Sequence, residues 1–215
     1  MNVLVIGAHG AIGRMIIQKM SASAEFTPTA FIRKESQREV FDNNGTPIRI
    51  QSVEASVEDI AATMVDQDAI IFTAGSGSAT GPDKTLTVDL DGAVKSMEAA
   101  AQMSVRRFVM ISALRAGDRS IWETSPIKPY FVAKHYADRM LMSMDLNYTI
   151  LRPGRLFDDP GTGKISIVNP MERRGVARED VASLAIEVLN QKNTFGRVIE
   201  FNEGEDPIPD VVASL

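Results

Sequence analysis

The stretch Pro129-Tyr130-Phe131-Val132-Ala133-Lys134 carries a tyrosine and a lysine four residues apart at the start of an amphipathic segment. In a helix this spacing places the phenol and the ammonium group on one face. An isolated tyrosine has a pKa of about 10, which is too high for proton transfer near neutrality. A lysine within about 4–6 Å favours the phenolate and lowers that pKa by about 1–3. We therefore predict that Tyr130 and Lys134 are catalytic and protonate a carbonyl oxygen. The alternative is a chance spacing on an ordinary helix.

A glycine-rich turn follows the first apolar run of the chain and opens an amphipathic segment. It reads Gly7-Ala8-His9-Gly10-Ala11-Ile12-Gly13-Arg14. A sharp turn needs glycine, and the approach of backbone to a pyrophosphate excludes a Cβ atom. The helix N-terminus adds N–H groups and partial positive charge. We predict that this turn binds the diphosphate of a dinucleotide, the alternative being a purely structural turn; His9 either screens phosphate charge or is a half-exposed turn residue.

The end of the second apolar run, Phe31-Ile32-Arg33-Lys34-Glu35-Ser36, bears on the choice between NAD and NADP. In NAD-binding proteins a carboxylate about 20 residues beyond the glycines binds the ribose 2′-OH. Here Arg33 stands where a guanidinium could bind a 2′-phosphate, and Arg14 could reach the same group. We predict NADP(H) as the cofactor. The alternative is NAD, with Glu35 binding the ribose hydroxyl.

Short apolar runs alternate with amphipathic segments along the chain, and the elements they form must position these motifs. The predicted strands are 2–6, 27–32, 47–51, 68–73, 106–111, 147–151 and 197–201, and the predicted helices are 11–22, 35–43, 57–65, 84–103, 129–144 and 178–191. Strands rich in Val, Ile and Phe without polar alternation are typical of a sheet covered on both faces. The order predicts an α/β fold with a doubly wound parallel sheet, the Rossmann fold, as one NAD(P)-binding domain over 1–215.

Three irregular segments follow strand ends: 74–83, 112–128 and 152–177, the last with a short apolar run at 164–168. Open α/β sheets bind their ligands beyond the carboxyl ends of the strands. We therefore predict that these segments form a small substrate-side lobe. Trp122 within the second segment either stacks on a flat substrate or anchors its loop.

Composition excludes several other classes of function. The 215 residues include 23 basic and 28 acidic side chains, a net charge of −5, which argues against a nucleic-acid or membrane-surface partner. Cys is absent, so disulfides, thiolate metal sites and cysteine nucleophiles are excluded. With two His, we assign no metal ligands. No segment approaches about 18 consecutive apolar residues, and the start resembles no secretory signal, which predicts a cytoplasmic protein.

Together these motifs resemble the short-chain dehydrogenase/reductase superfamily. The chain is similar to its small atypical members with an NAD(P)H-binding, NmrA-like domain related to biliverdin reductase B, and especially to small bacterial sugar-epimerase-like proteins. The resemblance rests on GAHGAIGR at 7–14, IFTAGSG at 71–77, VDLDGA at 88–93, VMISALRAG at 109–117, YFVAK at 130–134, YTILRPGRL at 148–156 and REDVASLAIEVL at 178–189.

The resemblance implies roles for further residues near the cofactor. It implies that Glu54 and Ala55 flank the adenine, that backbone groups of Thr73, Ala74 and Gly75 line the ribose, and that the loop Arg152-Pro153-Gly154 closes over the nicotinamide. It also implies that Lys134 binds the nicotinamide ribose.

The resemblance implies that Ser112 polarises the substrate carbonyl. Two positions depart from the family pattern: Ser112-Ala113 stands where the family has two serines, and Asp89 stands where many relatives have Asn.

These features predict an NADP(H)-dependent oxidoreductase that transfers hydride to or from a small carbonyl or quinone-like compound. One alternative is an NADP-binding redox sensor without turnover. A nucleotide-sugar epimerase-like protein is another, although the chain is short for it. The predicted partner is a small-molecule substrate, with no nucleic acid and no membrane, and the protein is a monomer or a homodimer.

Overall fold

The computed structural model describes residues 1–42, 45–77, 80–167 and 175–215. Parts of three predicted segments lie outside these described residues. They are Asn43 of the helix 35–43, Ser78 and Ala79 of the segment 74–83, and residues 168–174 of the segment 152–177, which include Val168 of the apolar run.

Eleven strands are present among the described residues, and nine of them form one sheet. The strands are β1 Asn2–Ile6, β2 Thr27–Ile32, β3 Ile48–Ile50, β4 Ala69–Phe72, β5 Arg107–Ile111, β6 Asn147–Pro153, β7 Leu156–Phe157, β8 Lys164–Ser166, β9 Val176–Ala177, β10 Arg197–Glu203 and β11 Asp206–Pro207. The order in the sheet is β11-β8-β10-β6-β5-β4-β1-β2-β3, and β7 pairs with β9 separately. All pairs from β10 to β3 are parallel, whereas β8 pairs antiparallel with β10 and β11. This arrangement confirms the predicted doubly wound α/β sheet.

The helices cover both faces of this sheet. They are α1 Ala11–Ser21, α2 Glu39–Asp42, α3 Val57–Ala62, α4 Pro82–Lys84, α5 Gly92–Gln102, α6 Lys128–Ser143, α7 Arg178–Glu187 and α8 Ile208–Ala213. Between α4 and α5, residues Thr85–Asp91 form a π-helical segment. Wide turns of this kind frequently occur at functional sites. No helix among the described residues has the length and apolar character needed to cross a membrane.

The helices predicted at 35–43 and 178–191 are each divided in the structure into an α-helix and a tighter turn. The helix predicted at 35–43 is a short turn at Glu35–Gln37 followed by α2, because Gln37 Oε1 accepts the backbone N–H groups of Arg33 and Lys34 at 2.9 and 3.1 Å. A side chain that binds backbone in this way competes with helix formation. The helix predicted to reach residue 191 ends as α-helix at Glu187 and continues as a tighter turn at Val188–Asn190.

The strands are apolar on both faces because each face packs against helices. In β1, Val3 and Val5 belong to one buried cluster, whereas Leu4 and Ile6 belong to the other. This follows from the two-residue period of a strand, which sends successive side chains to opposite faces. The first cluster includes residues of α1, α7 and α8, and the second includes residues of α3, α5 and α6.

The chain changes direction within the sheet between β1 and β4. From β1 the connections run outward to β2 and β3, whereas β4, β5 and β6 lie on the other side. The residues that follow β1, β4 and β5, which are Gly7, Thr73 and Ser112, therefore emerge at one edge near the reversal. This is where ligands bind in doubly wound folds.

Candidate active site

The glycine turn brings two backbone segments closer together than any side chain would permit. Gly7 has φ +87°, and a Cβ on it would lie 2.6 Å from the backbone N of Ala74. A Cβ on Gly13 would overlap the carbonyl oxygen of Gly7. The turn is closed by the N–H of Gly10, which donates to Gly7 O at 3.0 Å. The bare backbone at this turn has the form that a pyrophosphate site requires.

Helix α1 begins directly at this turn. Gly10 is its N-cap residue, and no side chain caps the first turn. The N–H groups at the start of an eleven-residue helix therefore remain available to an anion at the sheet edge. The uncapped helix end and the glycine cradle together fit the diphosphate of a dinucleotide.

His9 and Arg14 form a pair on the outer side of the turn. Arg14 Nε donates to His9 O at 2.8 Å, and Arg14 Nη2 lies 2.6 Å from His9 Nε2. Partial burial and the guanidinium lower the pKa of the His9 imidazole below its ordinary value. His9 lines the cavity beside the turn, whereas Arg14 is not among its described lining residues. The predicted contact of Arg14 with a 2′-phosphate stays a prediction, since its guanidinium binds His9.

A first cavity extends from the turn between the ends of β1, β2 and β4. Its described lining residues are Gly7, His9, Gly10, Phe31, Ile32, Arg33, Gln37, Gln51, Ser52, Val53, Glu54, Thr73, Ala74, Gly75, Ser76 and Val88. Arg33 is thus in the wall, while Lys34, Glu35 and Ala55 are absent from the described lining residues. Glu35 instead forms an ion pair with Arg38.

Glu54 connects the first cavity to the helical segment that follows β4. Its Oε1 accepts hydrogen bonds from Lys84 Nζ and Thr87 Oγ1, both at 2.7 Å. These hydrogen bonds, from Lys84 first and then from Thr87, hold the pKa of the Glu54 carboxyl below its ordinary value. The carboxylate therefore fixes α4 and the π-helical segment against the wall of the cavity.

A second cavity adjoins the first, because both are lined by Thr73–Ser76. Its described lining residues are Ile12, Thr73, Ala74, Gly75, Ser76, Gly77, Thr80, Pro82, Thr85, Asp89, Ile111, Ser112, Pro126, Ile127, Pro129, Tyr130, Lys134 and Leu156. The predicted residues Ser112, Tyr130 and Lys134 therefore meet in one cavity. Pro153 lines neither cavity in the described part of the chain; it lies buried at the end of β6, where its carbonyl accepts the N–H of Leu114 at 2.8 Å.

Lys134 lies beside the ring of Tyr130, as the four-residue spacing predicts. Its Nζ is 5.9 Å from the ring centroid and donates to the carbonyl oxygen of Ile111 at 2.9 Å. The expected effect on Tyr130 is nevertheless wrong for the protein alone. Burial, and then the carboxylates of Asp89 and Asp138, raise the pKa of the Tyr130 phenol above its ordinary value. Burial also lowers the pKa of Lys134, while the same two carboxylates oppose that change.

Residues 7–192 match the family described as NAD(P)H-binding. The chain belongs to this NAD(P)H-binding family. It is 45% identical over 215 residues, all of both chains, to the "Uncharacterized sugar epimerase YhfK" of Bacillus subtilis. A solved structure of an NAD-dependent epimerase/dehydratase from Bacillus halodurans has a TM-score of 0.91 and 34% identity, with all of both chains covered. The oxidoreductase ylbE from Lactococcus lactis has a TM-score of 0.88 and 30% identity, covering 100% of this chain and 96% of the other.

These findings confirm the predicted family and the likeness to sugar-epimerase-like bacterial proteins. They also establish the NAD(P)-binding Rossmann fold for this member of the NAD(P)H-binding family.

Asp138 lies near the second cavity, where its carboxylate affects Tyr130, and the sequence analysis did not identify it. It is fully buried on α6, and its Oδ2 accepts a hydrogen bond from Arg152 Nε at 2.9 Å. Arg152 Nη1 also binds Glu200 Oε1 at 3.1 Å. Asp138 follows Tyr130 by eight residues and Lys134 by four, so helical spacing could have placed it on the same face. Arg152, assigned by resemblance to a loop over the nicotinamide, has its guanidinium bound by these two carboxylates.

Trp122 anchors its loop in this NAD(P)H-binding protein. Its side chain is buried and packs edge-on against His135, with ring centroids 5.0 Å apart. Trp122 is absent from the described lining of the second cavity. The loop 112–128 is thus fixed to α6, which carries Tyr130 and Lys134.

Proposed function

We propose that this NAD(P)H-binding protein is an NADP(H)-dependent oxidoreductase that transfers hydride to or from a small carbonyl or quinone-like substrate. One observation carries the proposal: Tyr130, Lys134 and Ser112 line a cavity that shares the wall Thr73–Ser76 with the cavity at the glycine turn. A dinucleotide that crosses this wall would have its adenosine in the first cavity and its nicotinamide in the second.

The proposed preference for NADP rests on the end of β2. Arg33 lines the first cavity, and a guanidinium is suited to a 2′-phosphate. Glu35, the carboxylate that could bind a ribose hydroxyl instead, forms an ion pair with Arg38 and is absent from the described lining of the first cavity.

Each side chain of the second cavity has a defined task in this proposal. A bound NADPH supplies a hydride, that is two electrons and one proton, to the carbonyl carbon. The protonated phenol of Tyr130 donates its proton to the carbonyl oxygen, and a solvent proton then restores the phenol. The raised pKa of Tyr130 keeps this donor protonated at neutral pH. The balance is one carbonyl, one NADPH and one proton consumed for one alcohol and one NADP⁺.

Lys134 positions groups in this proposal. One N–H of its ammonium is bound to Ile111 O, which fixes Nζ beside the Tyr130 ring. The other two N–H groups can donate to ribose hydroxyls, as the family resemblance implies. Ile12, Ile111 and Leu156 supply apolar wall that excludes water from the reacting atoms.

The cofactor is tested by fluorescence titration with NADPH and NADH. We expect NADPH to bind more tightly, and Arg33→Gln to weaken NADPH binding about tenfold, the loss of a charge-assisted contact, while leaving NADH binding unchanged. Lys34→Gln is the matched control, because Lys34 is the next residue and is exposed outside the cavity lining. Tighter binding of NADH by the unaltered protein would overturn the NADP assignment.

The reaction is tested by NADPH oxidation against a panel of aldehydes, ketones and quinones. Tyr130→Phe is expected to lower kcat at least about a hundredfold, as for loss of a general acid. Tyr136→Phe is the control, since Tyr136 lies on the same helix with its side chain exposed. NADPH binding without oxidation of NADPH by any compound would favour the sensor alternative, and equal activity of Tyr130→Phe would remove Tyr130 from the mechanism.

A further inference from the structure

Gln37 lies in the wall of the first cavity together with Arg33. It is the last residue of the short turn Glu35–Gln37, and its side chain folds back onto the two residues that follow β2. Its Oε1 accepts the backbone N–H of Arg33 at 2.9 Å and that of Lys34 at 3.1 Å. The side-chain amide is therefore tied to the backbone at the end of β2, where the proposed function places the adenosine ribose of the cofactor.

These two hydrogen bonds determine the orientation of the Gln37 amide. A backbone N–H group can only donate, so the side-chain atom that binds both groups must be the carbonyl oxygen. The reverse orientation would place the NH₂ group of the amide opposite two N–H donors, where no hydrogen bond can form. The amide therefore has one orientation, in which Oε1 is engaged by the backbone and Nε2 carries the two N–H groups that remain for a ligand.

The end of β2 thus presents donors to the first cavity. Among residues 33–37, Arg33 and Gln37 are the two in its described lining. The carboxylate of Glu35 is paired with Arg38, and the Gln37 oxygen is bound by the backbone. What this segment offers to a ligand in the cavity is therefore the guanidinium of Arg33 and the amide N–H groups of Gln37, which can only donate. A phosphate monoester near neutral pH is the complementary group, with three strong acceptor oxygens and a charge close to −2.

We propose, on the basis of the NADP(H)-dependent function above, that Gln37 is a specificity-determining residue for the cofactor. Its Nε2 donates a hydrogen bond to the 2′-phosphate beside the guanidinium of Arg33. The guanidinium contributes charge, whereas the amide contributes a donor whose orientation is fixed before the cofactor binds. A group that is already held in place loses little side-chain freedom on binding. The preference for NADPH over NADH therefore depends on Gln37 as well as on Arg33.

Gln37→Glu tests this role with the turn retained. One carboxylate oxygen can still accept the N–H groups of Arg33 and Lys34, as Oε1 does in the unaltered protein. The other oxygen replaces the N–H donor by a negatively charged acceptor, which repels a phosphate and suits a ribose hydroxyl. Fluorescence titration with NADPH and with NADH measures the ratio of the two affinities. We expect this ratio to fall at least about twentyfold, through loss of a hydrogen bond to a charged group and added repulsion.

Gln37→Met separates the lost donor from the added charge. The methionine side chain has similar length and no N–H group, so the affinity ratio should fall about fivefold through loss of the hydrogen bond alone. Gln18→Glu is the matched charge control, because Gln18 is exposed on α1 and absent from the described lining of the first cavity. It should leave the ratio unchanged. A ratio unchanged in Gln37→Met, or lowered equally by Gln18→Glu and Gln37→Glu, would overturn the proposal.

A double variant distinguishes a contact with the phosphate from support of the turn. In the Arg33→Gln protein, Gln37→Met should again lower the affinity ratio by about fivefold, because the amide binds the phosphate itself. No further change in the double variant would mean that Gln37 acts only by holding Arg33 in place. Equal weakening of NADPH and NADH by the Gln37 variants would assign the side chain to a part that both cofactors share, such as the adenine. Either result contradicts the proposal.

Failure of the underlying function is distinguished by the unaltered protein in the same titrations. Protein that binds neither cofactor, or that binds NADH more tightly, refutes the proposed NADP(H)-dependent function. Protein that prefers NADPH, with the same affinity ratio in both Gln37 variants, refutes the role of Gln37 alone.

Discussion

The guanidinium of Arg14 lies against the imidazole of His9 at the glycine turn, with 2.6 Å between Arg14 Nη2 and His9 Nε2. An arginine can only donate, so Nε2 is the acceptor and the proton of the neutral ring is on Nδ1. The imidazole thus provides a fixed N–H donor in the wall of the first cavity. The lowered pKa of His9 agrees with this neutral form.

This pair predicts how cofactor binding depends on pH. Because His9 titrates below its ordinary value of about 6.5, the affinity for NADP⁺ should change little between about pH 6.5 and 8. In Arg14→Leu the pKa of His9 returns toward its ordinary value, so affinity should rise as the pH falls toward 6 and the ring becomes cationic. Calorimetric titration at each pH measures this. Arg49→Leu, at an exposed arginine of β3, is the control and should keep the flat profile.

The close contact of Gly7 with Ala74 predicts a second result. Gly7→Ala should abolish NADP⁺ binding and lower the free energy of unfolding by several kcal/mol, because the methyl group meets backbone in addition to the cost of about 1–2 kcal/mol for a positive φ. Gly163→Ala is the matched control: Gly163 has φ +71° and open space around its Cβ position. Gly163→Ala should lower the free energy of unfolding by about 1–2 kcal/mol and retain NADP⁺ binding. Urea unfolding measures the stability of both variants, and titration with NADP⁺ measures their binding. Equal losses of stability and of NADP⁺ binding in the two variants would contradict a steric role for Gly7.

The sequence predicted the glycine turn and most of the sheet because their signals are local. Strand, turn and helix follow one another at residues 2–21, so each element is readable from adjacent residues. The N-cap of α3 is also a local feature: Ser56 Oγ accepts the N–H of Asp59 at 3.1 Å.

The electrostatics of the second cavity was not predictable in this way. The spacing of Tyr130 and Lys134 predicts a lowered tyrosine pKa. The direction of the pKa shift depends instead on burial and on Asp89, which lies 41 residues before Tyr130 in the sequence. Likewise, Asp138 and Arg152 come from different elements, α6 and β6, and meet only when the helix packs on the sheet. A pattern within one helix contains no information on such a contact.

A third prediction follows from the raised pKa of Tyr130. A protonated phenol is the form that donates in carbonyl reduction, so kcat/KM for reduction should stay flat from about pH 7 to 10 and fall only above the tyrosine's ordinary pKa of about 10. Alcohol oxidation needs the phenolate and should therefore be slow at neutral pH and rise with pH. A reduction rate that already declines as the pH is raised from 7 to about 8 would contradict a phenol with a raised pKa.

Asp89→Asn tests the part of the raised Tyr130 pKa that comes from this carboxylate, which acts in addition to burial. Removing the negative charge should lower the Tyr130 pKa by about 1 and move the rise of oxidation to correspondingly lower pH, while the amide oxygen can still accept the N–H of Ser76. Absorbance of the phenolate and the pH profile measure the same quantity independently. Asp91→Asn, at an exposed residue of the same π-helical segment that pairs with Lys95, should leave both unchanged.

Arg107, which lines neither cavity, makes buried hydrogen bonds that we expect to stabilise the fold. Its buried guanidinium donates to the carbonyl oxygens of Val188, Leu189 and Asn147 at 2.6, 3.0 and 2.7 Å. These bonds join β5 to the turn after α7 and explain why that helix ends in a tighter turn. Burial lowers the pKa of Arg107 to about 10.

Replacing Arg107 should therefore be costly, because it removes the hydrogen bonds that its guanidinium donates to three carbonyl oxygens. We expect Arg107→Met to lower the free energy of unfolding by about 3 kcal/mol, and Arg107→Lys to restore only part of this, since a single ammonium group cannot reproduce the planar fork. Arg106→Met is the matched control at the preceding residue, where an exposed ion pair with Asp145 should contribute less than about 1 kcal/mol. Urea denaturation of the three variants measures these differences. Similar losses for Arg106→Met and Arg107→Met would mean that the buried guanidinium does not hold the end of α7.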